Sequence, residues 1–205
     1  MSGSWPALRD SDRDLALCLL FSPASMRPLL ADRLSLALEA ENSLRVASEP
    51  MLAAIRLQWW VEAIEAGRDE NVPLMRRLLA HLDAGHMDQC DLLAQLAIWQ
   101  DRLADDRISA AACWQRLFVM LAGMEPARHA AGLVGMSLLE GVGASRLDDD
   151  TLAVLRRRPL YWIWMAGQVA RYRGSDKYRD DDALLVWRML GWRLGITRPS
   201  PSPSP

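Results

Sequence analysis

The sequence is poor in the residues that build the commonest metal, disulfide and hydrolytic sites. Its 205 residues include three cysteines and three histidines, and neither group has the spacing of a disulfide framework or of a transition-metal site. The cysteines are Cys18, Cys90 and Cys113, and the histidines are His81, His86 and His129. We therefore predict buried free thiols in a reducing compartment, no bound metal and no catalytic triad.

The sequence also lacks a strong excess of charge and a long apolar run. Its formal net charge is −2, which creates no field that would attract nucleic acid, so no nucleic-acid partner is expected. No stretch reaches the roughly 18 apolar residues that a membrane-spanning helix requires. Acidic residues precede the first apolar run, which is unlike a signal peptide. The expected location is therefore the cytoplasm.

β-Branched residues are sparse, and no segment alternates apolar and polar residues as a strand does. Alanine and leucine dominate instead, and they favour helix. We predict an all-α fold of about eight to ten helices that form one domain over residues 1–198. The first helix is expected to follow Ser11 or Asp12, and the next two span residues 28–46 and 48–66. The Pro- and Ser-rich tail, residues 199–205, is predicted to be disordered.

A permanent charge lies among apolar residues in the third predicted helix, residues 48–66. At about 100° per residue, Arg56 falls on the same side as Leu52, Trp59 and Trp60. This places a guanidinium on the predicted buried face, where it would cost several kcal/mol without a partner. The two tryptophans either fill the core, which we prefer, or line a ligand cage.

The preceding helix carries the matching charge. Glu41 lies in a stripe of leucines, whereas Asp32 and Glu39 are expected to point outward. We predict that Glu41 and Arg56 form an ion pair between two antiparallel helices. This pair either fixes how the helices dock or forms the polar mouth of a cavity, in which Arg56 binds an anionic head group.

These residues belong to a pattern that resembles a known family. The segments LCLLFSPASMRPLLADRLSLALEAENSLR and SEPMLAAIRLQWWVEAIEAG are similar to the squalene and phytoene synthase family, and most of all to its short, divergent branch. That branch includes phytoene synthase-like bacterial proteins and relatives of a mitochondrial complex I assembly factor. The resemblance rests on Phe21, Pro23, Arg27, Glu41 and Ile55 to Trp60, and it covers about the first third of the chain.

The resemblance implies a helical bundle of the isoprenoid-synthase type around a deep cavity. It also implies two acid-rich stretches whose carboxylates hold Mg²⁺ and a prenyl diphosphate. The first stretch would fall at residues 42–48, which contain no carboxylate, and the second at residues 134–143, which contain one, Glu140. One acid cannot hold several metal ions. The remaining candidates for a cavity or anion site are Arg27, Glu41, Arg56, Trp59 and Trp60.

Two acidic runs and a set of glycines lie outside this pattern. Residues 148–150 and 180–182 are aspartates at predicted helix starts, where they are expected to cap free amides rather than bind metal. Four glycines follow no strand, so they are not a nucleotide-binding fingerprint and are expected either to permit close packing or to line a cavity. They are Gly132, Gly135, Gly141 and Gly143.

A basic and aromatic segment, RRRPLYWIWMA, covers residues 156–166. Arginines beside Tyr161, Trp162 and Trp164 are typical of a surface that contacts an anionic membrane, which would bring the protein to the periphery of the inner membrane. The alternative, which we prefer, is a core helix with a basic cap.

Three functions follow from these patterns. The first is a non-catalytic member of the family that binds an isoprenoid or lipid, or a protein partner during assembly of a membrane complex, without a cofactor. The second is an active prenyl-diphosphate-condensing transferase of isoprenoid biosynthesis, which would need Mg²⁺. The third is a helical interaction domain with a filled core and no ligand. We favour the first because the acid-rich stretches are absent.

Overall fold

The structure, a computed structural model, describes residues 3–47, 49–69, 71–123, 126–140, 147–175, 178–179 and 182–199, without the side chains of residues 139 and 140. Within these ranges every regular element is helical, which confirms the predicted all-α class. The α-helices are α1 (Ser4–Ser11), α2 (Arg13–Cys18), α3 (Arg27–Val46), α4 (Pro50–Glu65), α5 (Pro73–Asp83), α6 (Gln89–Ala104), α7 (Ala110–Ala122), α8 (Ala127–Glu140), α9 (Asp149–Ala153), α10 (Tyr161–Arg173) and α11 (Leu185–Leu194). A 3-10 turn (Leu19–Phe21) follows α2.

The chain folds into two compact units. Unit 1 comprises residues 1–19 and 24–110, and unit 2 comprises residues 20–23 and 111–205. The single domain over residues 1–198 stays a prediction. Among the described residues, none of the helices combines the length and apolar character needed to cross a bilayer.

Most helix ends lie where local chemistry predicts them. The side chain of Asp12 accepts a hydrogen bond from the Leu15 amide at 2.9 Å and so starts α2. Beyond α4, Gly67 has a φ of +62°, the left-handed conformation that glycine adopts most readily. The helix that the sequence did not predict is α1, which is short and carries a proline in its first turn. It forms because its Leu8 is completely buried in unit 1.

In unit 1, α3 is the central helix because α1, α4, α5 and α6 all pack against it. It is therefore buried on several sides, and small polar residues such as Ser35 and Ser43 lie inside with its leucines. The core side chains contributed by the surrounding helices include Leu57, Met75, Leu78, Leu92, Leu96 and Trp99. Removal of these apolar surfaces from water is the main term that holds the unit together.

In unit 2, α10 is the central helix and packs against α8, α9 and α11. Two of the glycines with a predicted packing role lie in α8. A Cβ on Gly135 would overlap the Trp114 carbonyl oxygen, and one on Gly132 would lie 2.9 Å from Val119 Cγ2. Close packing is therefore confirmed for these two, and residues 141 and 143 lie outside the described residues.

The basic and aromatic segment before α10 is a core helix with a basic cap. Trp162 and Trp164 are buried, whereas the three arginines of residues 156–158 are exposed. The guanidinium of Arg156 lies 5.5 Å from the centroid of the Trp164 ring. This confirms the preferred interpretation, so the segment does not present its tryptophans to a membrane.

The structure describes some residues of the predicted acidic caps and of the predicted disordered tail. Asp148 accepts a hydrogen bond from the Thr151 amide at 2.7 Å, which starts α9 as expected and lowers the pKa of the carboxyl. Asp182 accepts one from the Leu184 amide at 2.9 Å, and residues 180–181 lie outside the described residues. Pro199 is buried, and the rest of the predicted disordered tail, residues 200–205, is also outside the described part.

Candidate functional site

The carboxylate of Glu41 is held from α6. Its Oε1 accepts a hydrogen bond from Arg102 Nη1 at 2.6 Å, and its Oε2 accepts one from Trp99 Nε1 at 3.0 Å. Both side chains of the ion pair are mostly shielded from water, at 15% exposure for Glu41 and 24% for Arg102. The predicted buried ion pair on this face of α3 therefore exists, but with a different arginine.

The predicted pairing of Glu41 with Arg56 is wrong, because Arg56 is exposed on the outer side of α4. The buried side of this helix is formed by Ala53, Leu57, Trp60 and Ile64, which recur at the spacing of one helical face. Apolar residues also occupy the opposite side of α4, so the spacing alone allowed two interpretations. Packing selected the face that does not contain Arg56.

The other apolar side of α4 remains open to water. Met51, Leu52 and Ile55 are all exposed, and the exposed fraction of Ile55 is 59%. Beside them lies a groove of about 610 Å³ between α4 and α6, which we call the α4 groove. The residues that line it include Ile55, Gln58, Trp59 and Glu62 of α4 and Gln100 and Leu103 of α6.

The two adjacent tryptophans of α4 have different surroundings. Trp60 is buried in the core of unit 1, which agrees with core filling. Trp59 is half-buried and lines the α4 groove. Their ring centroids are 5.1 Å apart in an edge-to-face arrangement, so Trp60 supports the position of Trp59.

Arg27 lies far from the other candidate residues of unit 1. Its Nε donates a hydrogen bond to the Leu19 carbonyl oxygen at 3.0 Å, which ties the start of α3 to the 3-10 turn after α2. Glu41 follows 14 positions later on α3, a rise of about 21 Å along the helix axis. The structure therefore does not bring Arg27 to Glu41, and it places Arg56 on the outside.

A second buried carboxylate was missed by the sequence interpretation. Asp32 was expected to point outward, but its side chain is completely buried. Its Oδ1 accepts a hydrogen bond from Arg77 Nε at 2.7 Å, and its Oδ2 accepts one from Ser4 Oγ at 2.7 Å and contacts His81 Nε2 at 3.2 Å. These contacts join α1, α3 and α5, so the cluster connects three helices of unit 1.

The histidine of this cluster extends the network towards the surface. A carboxylate accepts hydrogen bonds, so a hydrogen bond between His81 and Asp32 requires the hydrogen to be on Nε2 of the histidine. Its Nδ1 then faces Nδ1 of the exposed His86 at 3.2 Å. The helical spacing of residues in α3 could not reveal this network, because its partners come from other parts of unit 1.

A third polar connection joins α3 to α6. Arg33 Nε donates to Gln95 Oε1 at 3.0 Å, and Gln95 Nε2 donates to the Arg33 carbonyl oxygen at 2.8 Å. Burial lowers the pKa of Arg33, and the charge of Asp91 acts in the opposite direction. Together with Glu41, this pair fixes the position of α6, which forms one wall of the α4 groove.

The described residues offer little of the chemistry that binds metals, and their thiols differ in exposure. Among the residues that the structure describes, no three or more His, Cys, Asp or Glu side chains come together as a metal site. Cys18 and Cys113 are buried as predicted, whereas the prediction is wrong for Cys90, which is exposed. Glu140, the acid of the second expected stretch, has its side chain outside the described part.

Comparisons with known proteins yield no relative of this chain. No family model, no curated protein and no solved structure matches it.

Proposed function

We propose that the protein is a non-catalytic member of the short, divergent branch of the squalene/phytoene synthase family, and that it binds an apolar chain. The ligand class is an isoprenoid or another lipid, and the proposed wider role is assembly of a membrane complex. The proposal includes a bundle of the isoprenoid-synthase type. The observation that carries it is the α4 groove, an apolar surface on the helix that bears the strongest family pattern.

The chemistry of the groove suits a chain that is long and apolar. Ile55, Trp59 and Leu103 supply apolar walls, and complete burial of one such side chain contributes about 1.5–3 kcal/mol. Gln100 supplies an amide group that can orient a polar end of the ligand, whereas Gln58 Nε2 donates to Glu62 Oε1 at 3.1 Å within the same lining. The groove is open rather than deep, so it favours a partly covered chain over an enclosed substrate.

The proposed loss of catalysis is supported by the lack of carboxylates in the first stretch that the resemblance implies to be rich in acids. Residues 42–47 on and after α3 include the exposed Asn42 and Arg45 and the buried Ser43, and they contribute no carboxylate. Departure of diphosphate needs several carboxylate-bound metal ions to neutralise the developing charge. Arg56, exposed next to Ile55, offers a guanidinium that could bind one anionic head group without breaking its bond to the chain.

Binding and turnover can be measured on the same sample. We expect farnesyl diphosphate to bind in calorimetric titration with or without Mg²⁺, and no condensed product to form. Ile55→Glu puts a charge into the α4 groove and is expected to weaken binding at least about tenfold. The matched control is Ile196→Glu, which changes an isoleucine of unit 2 that is even more exposed than Ile55. Mg²⁺-dependent formation of a squalene- or phytoene-like product would instead support the active transferase.

A further inference from the structure

The last helix of unit 2 has apolar residues on two opposite sides. Leu185, Met189 and Trp192 of α11 are buried against the rest of the unit. On the other side, Trp187 and Leu194 are exposed, with 71% of Trp187 in contact with solvent. A tryptophan is seldom left in water to this extent, because its ring is largely apolar.

The end of α11 adds another apolar residue to the same side. Gly195 has a φ of +72°, and the Ile196 amide donates to the Gly191 carbonyl oxygen at 3.0 Å. This is the hydrogen-bond pattern of a glycine-terminated helix, and it folds the chain back along the last turn. Gly191 allows the close approach, because a Cβ there would lie 2.7 Å from Thr197 Oγ1. Ile196 is thereby held at the surface, 74% exposed.

These residues line one open groove of about 670 Å³. We call its apolar part the α11 face, which consists of Leu184, Trp187, Leu190, Leu194 and Ile196. Unlike the α4 groove, it belongs to unit 2.

Arginines surround the α11 face. Arg188 lines the groove, donates to Asp182 at 3.0 Å and lies 5.3 Å from the centroid of the Tyr172 ring. Arg198 also lines the groove, is largely exposed and lies 3.4 Å from Asp149. Exposed Arg193, on the same helix, has its guanidinium 5.8 Å from the centroid of the Phe21 ring. The groove is thus lined by two arginines, each paired with an aspartate outside it, and by no carboxylate among the described residues.

The two units also carry formal charges of opposite sign. The part of the sequence in unit 2 contains 13 basic and nine acidic residues, a formal charge of +4. The part in unit 1 contains 11 basic and 17 acidic residues, a formal charge of −6. The small net charge of the protein is therefore the sum of an acidic unit 1 and a basic unit 2. The α11 face lies on the basic unit.

We propose that the α11 face binds the surface of an anionic lipid bilayer. A tryptophan among aliphatic residues, bordered by arginines, matches the boundary between acyl chains and head groups, where the ring enters and the guanidinium groups remain with the phosphates. The ten residues of α11 extend about 15 Å, so the helix lies along the bilayer rather than across it. Charge complementarity selects anionic lipid over neutral lipid. The inference rests on unit 2 alone and is independent of the α4 groove.

The test is co-sedimentation of the full chain with vesicles of phosphatidylcholine, with and without about 30 mol % phosphatidylserine. The full chain is expected to bind the anionic vesicles and not the neutral ones, and raised salt should release it. Trp187→Glu and Leu194→Glu are each expected to lower the partition coefficient at least about tenfold. Arg198→Ala should lower it about fivefold. Val46→Glu, which changes an exposed apolar residue of unit 1 outside both grooves, is the matched control and should bind like the unchanged protein.

Several results would overturn the proposal. They are absence of binding to both kinds of vesicle, equal binding to both, and unchanged binding by the Trp187→Glu and Leu194→Glu variants. Sedimentation velocity without lipid can give a further result that would overturn the proposal. If the unchanged protein self-associates and Trp187→Glu is monomeric, the α11 face is an interface between two copies. Because the α11 face and the α4 groove share no lining residue, failure of bilayer binding leaves the result for the α4 groove unaffected.

Discussion

Arg102 on α6 binds Glu41 on α3 through a hydrogen bond of 2.6 Å from Nη1 to Oε1. The carboxylate is also bound by Trp99, so both of its oxygens have a partner on α6. Glu41 therefore pairs with α6 and not, as the sequence predicted, with Arg56 of α4. The position of α6 depends on this ion pair. It also fixes one wall of the α4 groove.

Substitution of Glu41 is expected to destabilise unit 1, whereas substitution of Arg56 is not. Glu41→Ala leaves Arg102 and Trp99 without their acceptor and should lower the free energy of unfolding by about 2–4 kcal/mol. Arg56→Ala changes an exposed side chain and should stay within about 0.5 kcal/mol of the unchanged protein. Urea unfolding followed by circular dichroism measures both. Equal losses for the two variants would contradict the observed pairing.

The buried Asp32 cluster predicts a larger effect on the same helix. Asp32→Ala removes the acceptor for Arg77, Ser4 and His81 and leaves a shielded guanidinium uncompensated. We expect a loss of about 3–5 kcal/mol in the free energy of unfolding. The control is Glu39→Ala, since Glu39 is exposed on α3 and should contribute little. If both substitutions have the same small effect, Asp32 is not buried in solution.

Asp182 predicts a dependence of stability on pH. Burial acts to raise the pKa of its carboxyl, but hydrogen bonds from Tyr172, the Leu184 amide and Arg188 outweigh burial, and the pKa lies below its ordinary value. A lowered folded-state pKa stabilises the fold above the unfolded-state pKa of about 4, and this contribution disappears as the pH falls through the folded-state pKa.

The stability of the unchanged protein should therefore fall more steeply below about pH 4 than that of Asp182→Asn, because the amide does not titrate. Asp150→Asn is the control, since Asp150 is exposed near the start of α9. Urea midpoints measured from about pH 5 to pH 2 provide the comparison. Parallel slopes for Asp182→Asn and the unchanged protein would show that Asp182 does not contribute.

Substitution of the two described glycines of α8 should affect stability to different extents, because one faces backbone and the other faces side chains that can move. Gly135→Ala would place a methyl group against the Trp114 carbonyl, which is backbone, and should destabilise unit 2 by about 2–3 kcal/mol. Gly132→Ala meets the side chains of Val119 and Gln115, which can move, and should have a smaller effect. The midpoints of thermal unfolding rank the variants. A larger effect for Gly132→Ala would contradict the packing described between α7 and α8.

The sequence was a good guide wherever structure depends on neighbouring residues. Caps such as Asp12 and Asp148 determine helix ends through local hydrogen bonds, so the ends could be predicted. The choice of face on α4 depends on which helix packs against it, and Arg56 was assigned to the wrong side for that reason. Glu41 and Arg102 are 61 positions apart, and helical spacing carries no information about such a pair.

The groove and the α11 face were harder to predict for the same reason. Trp187 and Trp162 both lie in Arg- and Trp-containing segments, yet α10 is central in unit 2 and buries Trp162, while α11 packs on one side and exposes Trp187. The position of each helix within the unit decided which of these residues reach the surface.

Photo-crosslinking tests the central claim, that the α4 groove binds a prenyl chain, most directly. The full chain would be irradiated with a benzophenone-bearing farnesyl diphosphate analogue, and the labelled peptides would be identified by mass spectrometry. Labels are expected on the groove residues of α4 and on Gln100 or Leu103 of α6, with loss of labelling in Ile55→Glu and not in Ile196→Glu. Labels confined to unit 2, or labelling that Ile55→Glu leaves unchanged, would contradict it.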